Sequence, residues 1–257
     1  MPNTDSFFPS VAELAQQPPT NYTNGIDFPV SVATSIIGVP SQEKGIRPAR
    51  ALPYELNVHA SVDTASSTVV LKFFNTGSAT VVFQVRSGNP ADNVRFYTVE
   101  PGKQLSGSWN VVSSYSLSVY GPNGFVRFFR GSVGPGVAAV DVRSRYGTED
   151  SGSIKWKITN LAGTKAEVSV QDAYGGNVVS QLLQPQDTFE DELSLGQFHG
   201  WYDLVVTAAG DPTFNYRLAG HVETGEDSFS DPALGGLVTL KAEAKPVNEA
   251  SLTNTVA

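Results

Sequence analysis

Cysteine is absent from all 257 residues. With no thiol, neither a disulfide framework nor a thiolate zinc site can be built. The absence leaves the compartment open, because a chain with a large enough core needs no staples. Charge is scarce as well. Asp, Glu, Lys and Arg make up 16% of the chain against 40% hydrophobic residues, a balance too apolar for disorder. Long hydrophobic runs are missing, and none approaches the ~20 residues of a membrane-spanning helix. The longest, such as Val137–Val140, are strand-sized. No charged segment leading into an apolar run stands at the N-terminus, so no secretion leader is read there. Met1 before Pro2-Asn3-Thr4 reads as a start set within a longer protein. A dominant basic balance is also lacking: the net charge is −8, which argues against nucleic acid as a partner.

The charge that is present is uneven. Residues 47–135 hold eight Lys/Arg against four Asp/Glu, whereas residues 136–225 hold six against twelve. Such asymmetry bears on partners and solubility rather than on fold. The dominant pattern is a period of two. Ile154, Trp156 and Ile158 alternate with Lys155 and Lys157, and Phe214, Tyr216 and Leu218 alternate with Asn215 and Arg217. Successive strand side chains point to opposite faces, so each run offers one apolar face and one wet one, as in an antiparallel sheet packed on one side. Turn residues such as Pro101-Gly102, Gly121-Pro122-Asn123-Gly124 and Gly175-Gly176-Asn177 separate the runs. No helical pattern of ten residues is found.

The pattern occurs twice. Leu71-Lys72-Phe73-Phe74-Asn75 matches Trp156-Lys157-Ile158-Thr159-Asn160, Tyr115–Val119 matches Tyr202–Val206, and Phe125–Gly131 matches Phe214–Gly220. Near-constant offsets indicate a duplicated unit with loops of different length. About seven strands fit in each copy. The predicted fold is all-β: two tandem immunoglobulin-like antiparallel β-sandwich domains of about seven strands each. Residues 1–46 read as a linker with one short helical turn near Val11–Gln16, 47–135 as the first sandwich, 136–226 as the second and 227–257 as a tail. Both ends read as partly disordered. Gly131–Gly136 reads as a hinge between the copies. The last strand of the first copy is ambiguous: the match to Phe214 turns Arg127 inward, whereas Val126 and Phe128 suit a core face better.

Several strings carry a family likeness. Arg47-Pro48-Ala49-Arg50-Ala51-Leu52-Pro53-Tyr54, Tyr97–Lys103 and Ser118-Val119-Tyr120-Gly121-Pro122-Asn123-Gly124-Phe125 resemble the first C-terminal repeat of bacterial phosphocholine-preferring phospholipases C. His199-Gly200-Trp201-Tyr202-Asp203 and Ala219-Gly220-His221-Val222-Glu223-Thr224-Gly225 resemble the second, and Gly38–Gly45 resembles the linker before them. The resemblance covers roughly residues 36–236. It implies a parent enzyme that is secreted and splits phosphatidylcholine or sphingomyelin into phosphocholine and a neutral lipid. It also implies that the catalytic domain lies upstream, so no catalytic or metal-binding residue carries over onto this chain.

The residues themselves advertise little chemistry. None of the three histidines, His59, His199 and His221, has a His or Cys at metal-ligand spacing, and each reads as locally hydrogen-bonded. Asp187 with Glu190-Asp191-Glu192 could suggest calcium, but adjacent strand residues point to alternate faces and cannot converge. Glu149-Asp150 reads the same way. No catalytic residue, metal or cofactor is assigned. The candidate contact residues are aromatic and basic: Trp109, Tyr120, Phe125 and Trp201, with Arg86, Arg95, Lys103, Arg127 and Arg130. Rings at strand ends can enter a headgroup layer beside cations, and they can equally be core.

Two functions follow. The first is a non-catalytic, inactive accessory region of a secreted phospholipase C, with three candidate partners: the upstream catalytic domain of the same chain, a phospholipid membrane surface, and an export or folding helper protein. The alternative is a free-standing β-sandwich binding module for lipid, glycan or protein.

Overall fold

The computed structural model describes residues 43–134, 136–147 and 152–241. The predicted helical turn at Val11–Gln16, Glu149-Asp150 and the last sixteen residues lie outside this range. The regular elements of the described residues are all strands except one 3-10 turn at Gly196–Phe198. The strands are β1 (Pro48–Ala49), β2 (Leu56–Asp63), β3 (Thr68–Asn75), β4 (Val81–Ser87), β5 (Arg95–Val99), β6 (Lys103–Asn110), β7 (Ser114–Tyr120) and β8 (Val126–Ser132). They continue with β9 (Val140–Gly147), β10 (Ser153–Asn160), β11 (Ala166–Asp172), β12 (Val178–Leu183), β13 (Thr188–Ser194), β14 (Trp201–Ala208), β15 (Asp211–His221) and β16 (Ser228–Phe229).

Each half forms two layers. In the first, β2-β3-β6 face the strands β5-β4-β7-β8; in the second, β9-β10-β13 face β12-β11-β14-β15. The period-two pattern explains the layering. Val69, Leu71 and Phe73 on β3 and Val81, Phe83 and Val85 on β4 point inward and are buried, as are Ile154, Trp156 and Ile158 on β10. Burying such a side chain stabilises by roughly 1.5–3 kcal/mol before entropy is charged.

Two devices recur at matched positions. Asn75 and Asn160 are fully buried at the ends of β3 and β10. Asn75 Nδ2 donates to the carbonyls of Ala79 and Val99 at 2.8 and 2.9 Å, and its Oδ1 accepts from Gly77 N at 3.1 Å. Asn160 does the same with Thr164, Leu183 and Ala162. Each carboxamide closes a turn whose backbone groups would otherwise be unpaired. The second device pairs Tyr115 with Gly131 and Tyr202 with Gly220 across adjacent strands. A Cβ at Gly131 would meet the Tyr115 ring at 2.7 Å, so the ring requires glycine beneath it.

The halves are joined edge to edge. β8 pairs antiparallel with β15 from Arg130↔Asn215 to Val126↔Ala219, and the two four-stranded layers become one eight-stranded sheet. Gly131 and Ser132, read from the sequence as part of a hinge, lie inside β8. A sheet that runs through both halves leaves no free swivel there. The join also decides the orientation of Arg127, which is inward and fully buried. Its Nη1 donates to the carbonyls of Val126 and Ala219 and its Nη2 to Tyr202 Oη at 2.9 Å. The guanidinium lies over the rings of Phe125 and Tyr202 at 4.2 and 5.5 Å. No carboxylate among the described residues pairs with it. The matched site on the other strand is Tyr216, whose hydroxyl meets Tyr115 Oη at 2.8 Å.

After β15 the chain folds back toward the leading segment. β16 pairs with β1, and Gly45 N donates to Gly235 O at 2.9 Å. The predicted tail is thus a clasp on the leading segment up to residue 241.

Candidate functional site

Histidine is where chemistry would be sought first. His59 lies where β2 crosses β9. Its Nε2 is 3.2 Å from Ser144 O, its Nδ1 is 3.4 Å from Arg143 Nη1, and its ring packs on Phe74. Burial pushes its pKa from 6.5 down to about 4, partly opposed by the Ser144 bond. It is neutral near pH 7 and fully committed.

His221 has a geometry that resembles a catalytic triad. Its Nδ1 is 2.9 Å from Glu223 Oε1, and its Nε2 is 3.2 Å from Ser228 Oγ. The hydrogens rule out that use. Nε2 is closer to the carbonyl of His199, at 2.8 Å, and a carbonyl only accepts. Ser228 Oγ donates to the same carbonyl at 2.9 Å. The Nε2 proton is therefore spent on His199 O, and no free base nitrogen faces the serine.

What this cluster does is hold chain together. Glu223 Oε1 also accepts from Asn123 Nδ2 at 2.6 Å, and its Oε2 from Leu52 N at 2.9 Å. These bonds keep its carboxyl below the usual range despite burial, which acts the other way. Asp227 accepts from Ala51 N, and Ser230 Oγ from Arg47 N. Asn123 and Gly124 both take left-handed φ, 55° and 69°, in the turn between β7 and β8. That turn must lie flat, because a Cβ at Gly124 would come within 2.7 Å of the Trp201 ring. The Trp201 ring also faces His221 at 4.8 Å, and its Nε1 donates to Phe229 O. Four distant strings, 47–54, 118–125, 199–203 and 219–225, converge on one knot.

The nine candidate contact residues do not form one surface. Trp109, Phe125 and Arg127 are buried, at 3%, 2% and 0% exposure, and cannot meet lipid or a partner. Period two turns all three inward. Arg95 is held over the Trp109 ring at 4.5 Å, with Nη1 on Ser108 O. Trp201 is fixed in the knot. Lys103 stands exposed at the start of β6, on the other layer. Arg86, Tyr120 and Arg130 share the outward face of the long sheet. In the acidic string Glu190 pairs with Lys157 at 2.8 Å, Glu192 with Lys155 at 3.2 Å, and Asp187 accepts from Gln184 N.

The strings that meet in the knot lie largely within two segments that match one family. The sequence profile of the bacterial phospholipase C C-terminal domain matches residues 48–132 and again 138–221. The chain belongs to this family. The two matches coincide with the two halves of the fold, so each half is one copy of the family's repeat. The chain is 40% identical over 212 residues to a non-hemolytic phospholipase C of Burkholderia pseudomallei, covering 80% of this chain and 30% of that protein. It is 35% identical over 248 residues to a non-hemolytic phospholipase C of Pseudomonas aeruginosa, covering 91% and 35%. It is 34% identical over 229 residues to a hemolytic phospholipase C of the same organism, covering 76% and 30%. The chain thus spans about a third of the length of these curated relatives.

Sequence reasoning missed three features of the family repeat as it stands here. Buried Asp203 pairs with half-buried Arg217, with Arg217 Nε 2.7 Å from Asp203 Oδ1. Tyr146 Oη meets Tyr202 Oη at 3.2 Å in the core, where burial raises its pKa well above the usual value. Phe96 is 63% exposed on the edge strand β5. An ion pair across adjacent strands could have been sought from the Asp203 and Arg217 alternation. The other two depend on how the halves and edges meet.

Proposed function

We propose that this chain is the non-catalytic C-terminal region of a secreted phospholipase C, built of two repeats at residues 47–135 and 136–226, and that it acts as a rigid mount for an upstream catalytic domain. In the parent enzyme that domain would hydrolyse phosphatidylcholine or sphingomyelin to phosphocholine. The observation that carries the reading is the pinning of the leading segment. Residues 45–52 are held by backbone and side-chain bonds to Gly235, Ser230, Asp227 and Glu223. The chain leading into Gly45 would therefore join the sheet at a fixed point. The double family match and the one-third coverage of the relatives support the same reading. A helper protein for export or folding fits the same mount as a second partner.

The test has two arms. The isolated chain should hydrolyse neither phosphatidylcholine nor a chromogenic phosphocholine ester above a blank. Turnover that disappears on denaturation would overturn the non-catalytic reading. In a polypeptide that includes an upstream catalytic domain, Glu223→Ala should loosen the mount, read as faster proteolysis near residues 45–52. Unchanged cleavage there would remove the pinned segment from the account.

A further inference from the structure

The long sheet turns one face to the three-stranded layers and the other outward. On the second half the chain covers the outward face itself. Phe229 O accepts from Trp201, Asp231 accepts from Tyr174 Oη at 2.7 Å, and Lys241 bonds to Ala173 O and to the Gln171 side chain. Beneath this segment Val205 and Asp203 are 5% and 3% exposed, although their positions point away from the core. On the first half nothing among the described residues does the same.

The pairing register defines what the bare half presents. One row runs Phe96, Gln84, Tyr120, Val126 across β5, β4, β7 and β8, and the next runs Arg86, Ser118, Phe128. Val82 and Arg130 lie in the rows on either side. Phe96 is 63% exposed, Val82 50% and Tyr120 37%. Tyr120 and Phe128 meet edge to face, with centroids 5.9 Å apart. No outward position on these four strands is Asp or Glu, while Arg86 and Arg130 supply two cations. In a chain of net charge −8, a face with cations and no carboxylate is a local reversal of sign.

We propose that this half of the outward face docks on an anionic phospholipid bilayer. Apolar rings set among arginines suit the headgroup layer, where each surface cation contributes about 1 kcal/mol toward an anionic leaflet. A second copy of the same face would set arginine against arginine, so self-association through it is disfavoured. The proposal does not rest on the mount described above, because vesicle binding and hydrolysis are separate readouts on the same chain.

The experiment is co-sedimentation of the full chain with vesicles of phosphatidylcholine alone and of phosphatidylcholine with phosphatidylglycerol. Binding should appear with the anionic vesicles and weaken as salt rises. Arg86→Glu with Arg130→Glu should reduce it by about tenfold or more. Phe96→Ser should reduce it several-fold with the fold intact by circular dichroism, and Leu182→Ser on the far edge strand should leave it unchanged. Because the chain has no cysteine, Phe96→Cys gives a single labelling site for an environment-sensitive fluorophore, which should blue-shift on anionic vesicles. Wild-type protein left in the supernatant, or equal binding by the charge-reversed variant, would overturn the proposal. So would a Phe96 label already shielded in a longer polypeptide without lipid, which would assign the face to a protein partner.

Discussion

The two halves of the molecule share strand order, a turn-closing asparagine and a tyrosine laid over glycine, yet they treat the outward face of their common sheet in opposite ways. In the second half, positions 203 and 217 carry an ion pair that the chain's own segment then covers. The matched positions in the first half, Ser116 and Phe128, carry no charge, and the face stays open. The seam differs too. Tyr115 meets Tyr216, whereas Tyr202 meets Arg127. A duplicated unit has kept the residues that build each copy and diverged where the copies meet each other or the outside.

The seam offers the largest effect. Arg127→Ala would empty a fully buried site, take the guanidinium donor from Ala219 O and leave Tyr202 Oη with Tyr146 alone. It should cost about 4 kcal/mol by urea denaturation. Tyr216→Phe at the matched site removes one hydrogen bond and should cost about 1 kcal/mol. Equal losses would mean that the guanidinium is no more than a spacer.

The covered face comes next. Asp203→Ala leaves Arg217 without its counter-charge beneath the C-terminal segment and should cost about 3 kcal/mol. It should also expose the segment to protease near residues 227–241. Asn75→Ala and Asn160→Ala test sameness instead of difference. Each strands one buried carbonyl and at least one part-buried one, so each should cost about 2 kcal/mol, and the two values should agree to within roughly a factor of two.

How much of this was legible in the sequence follows from the physics of each feature. Period two, the repeated Asn75 and Asn160 strings and the turn residues are local, so the two-layer, seven-strand copies could be read directly. Edge pairing between β8 and β15 uses backbone groups alone and leaves no side-chain pattern. The continuous sheet was therefore invisible, and Gly131–Gly136 looked like a hinge. The same blindness affected the contact residues. Trp109 and Phe125 stand near strand ends, where composition cannot separate a loop-tip ring from one that turns in. Arg127 was readable only through its alignment with Tyr216, against the usual preference for a wet arginine. The family strings were legible as strings, but their convergence on Glu223 needs the fold.

His59 gives a pH-dependent effect at the crossing of the two smaller layers, where Arg143, Arg127 and Asp141 are its charged neighbours. The unfolded chain takes up this proton near 6.5 and the folded chain near 4. As pH falls through that window the unfolded state binds the proton first, so stability drops and then levels off below about 4. The loss should be about 3 kcal/mol. His59→Gln should remove that part of the pH profile between 7 and 4. Identical wild-type and variant profiles would show that the crossing does not depend on a neutral ring. The smallest effect belongs to the open face: Phe96→Ser and Tyr120→Ser should change stability by no more than about 0.5 kcal/mol.

The most direct measurement is hydroxyl-radical labelling of the isolated chain, read at two tyrosines of equal intrinsic reactivity. Tyr120, on the bare half, is 37% exposed, and Tyr174, under the C-terminal segment, is 5% exposed. The account predicts fast modification of Tyr120 and slow modification of Tyr174, with anionic vesicles slowing only the former. Equal rates for the two rings in the absence of lipid would contradict it.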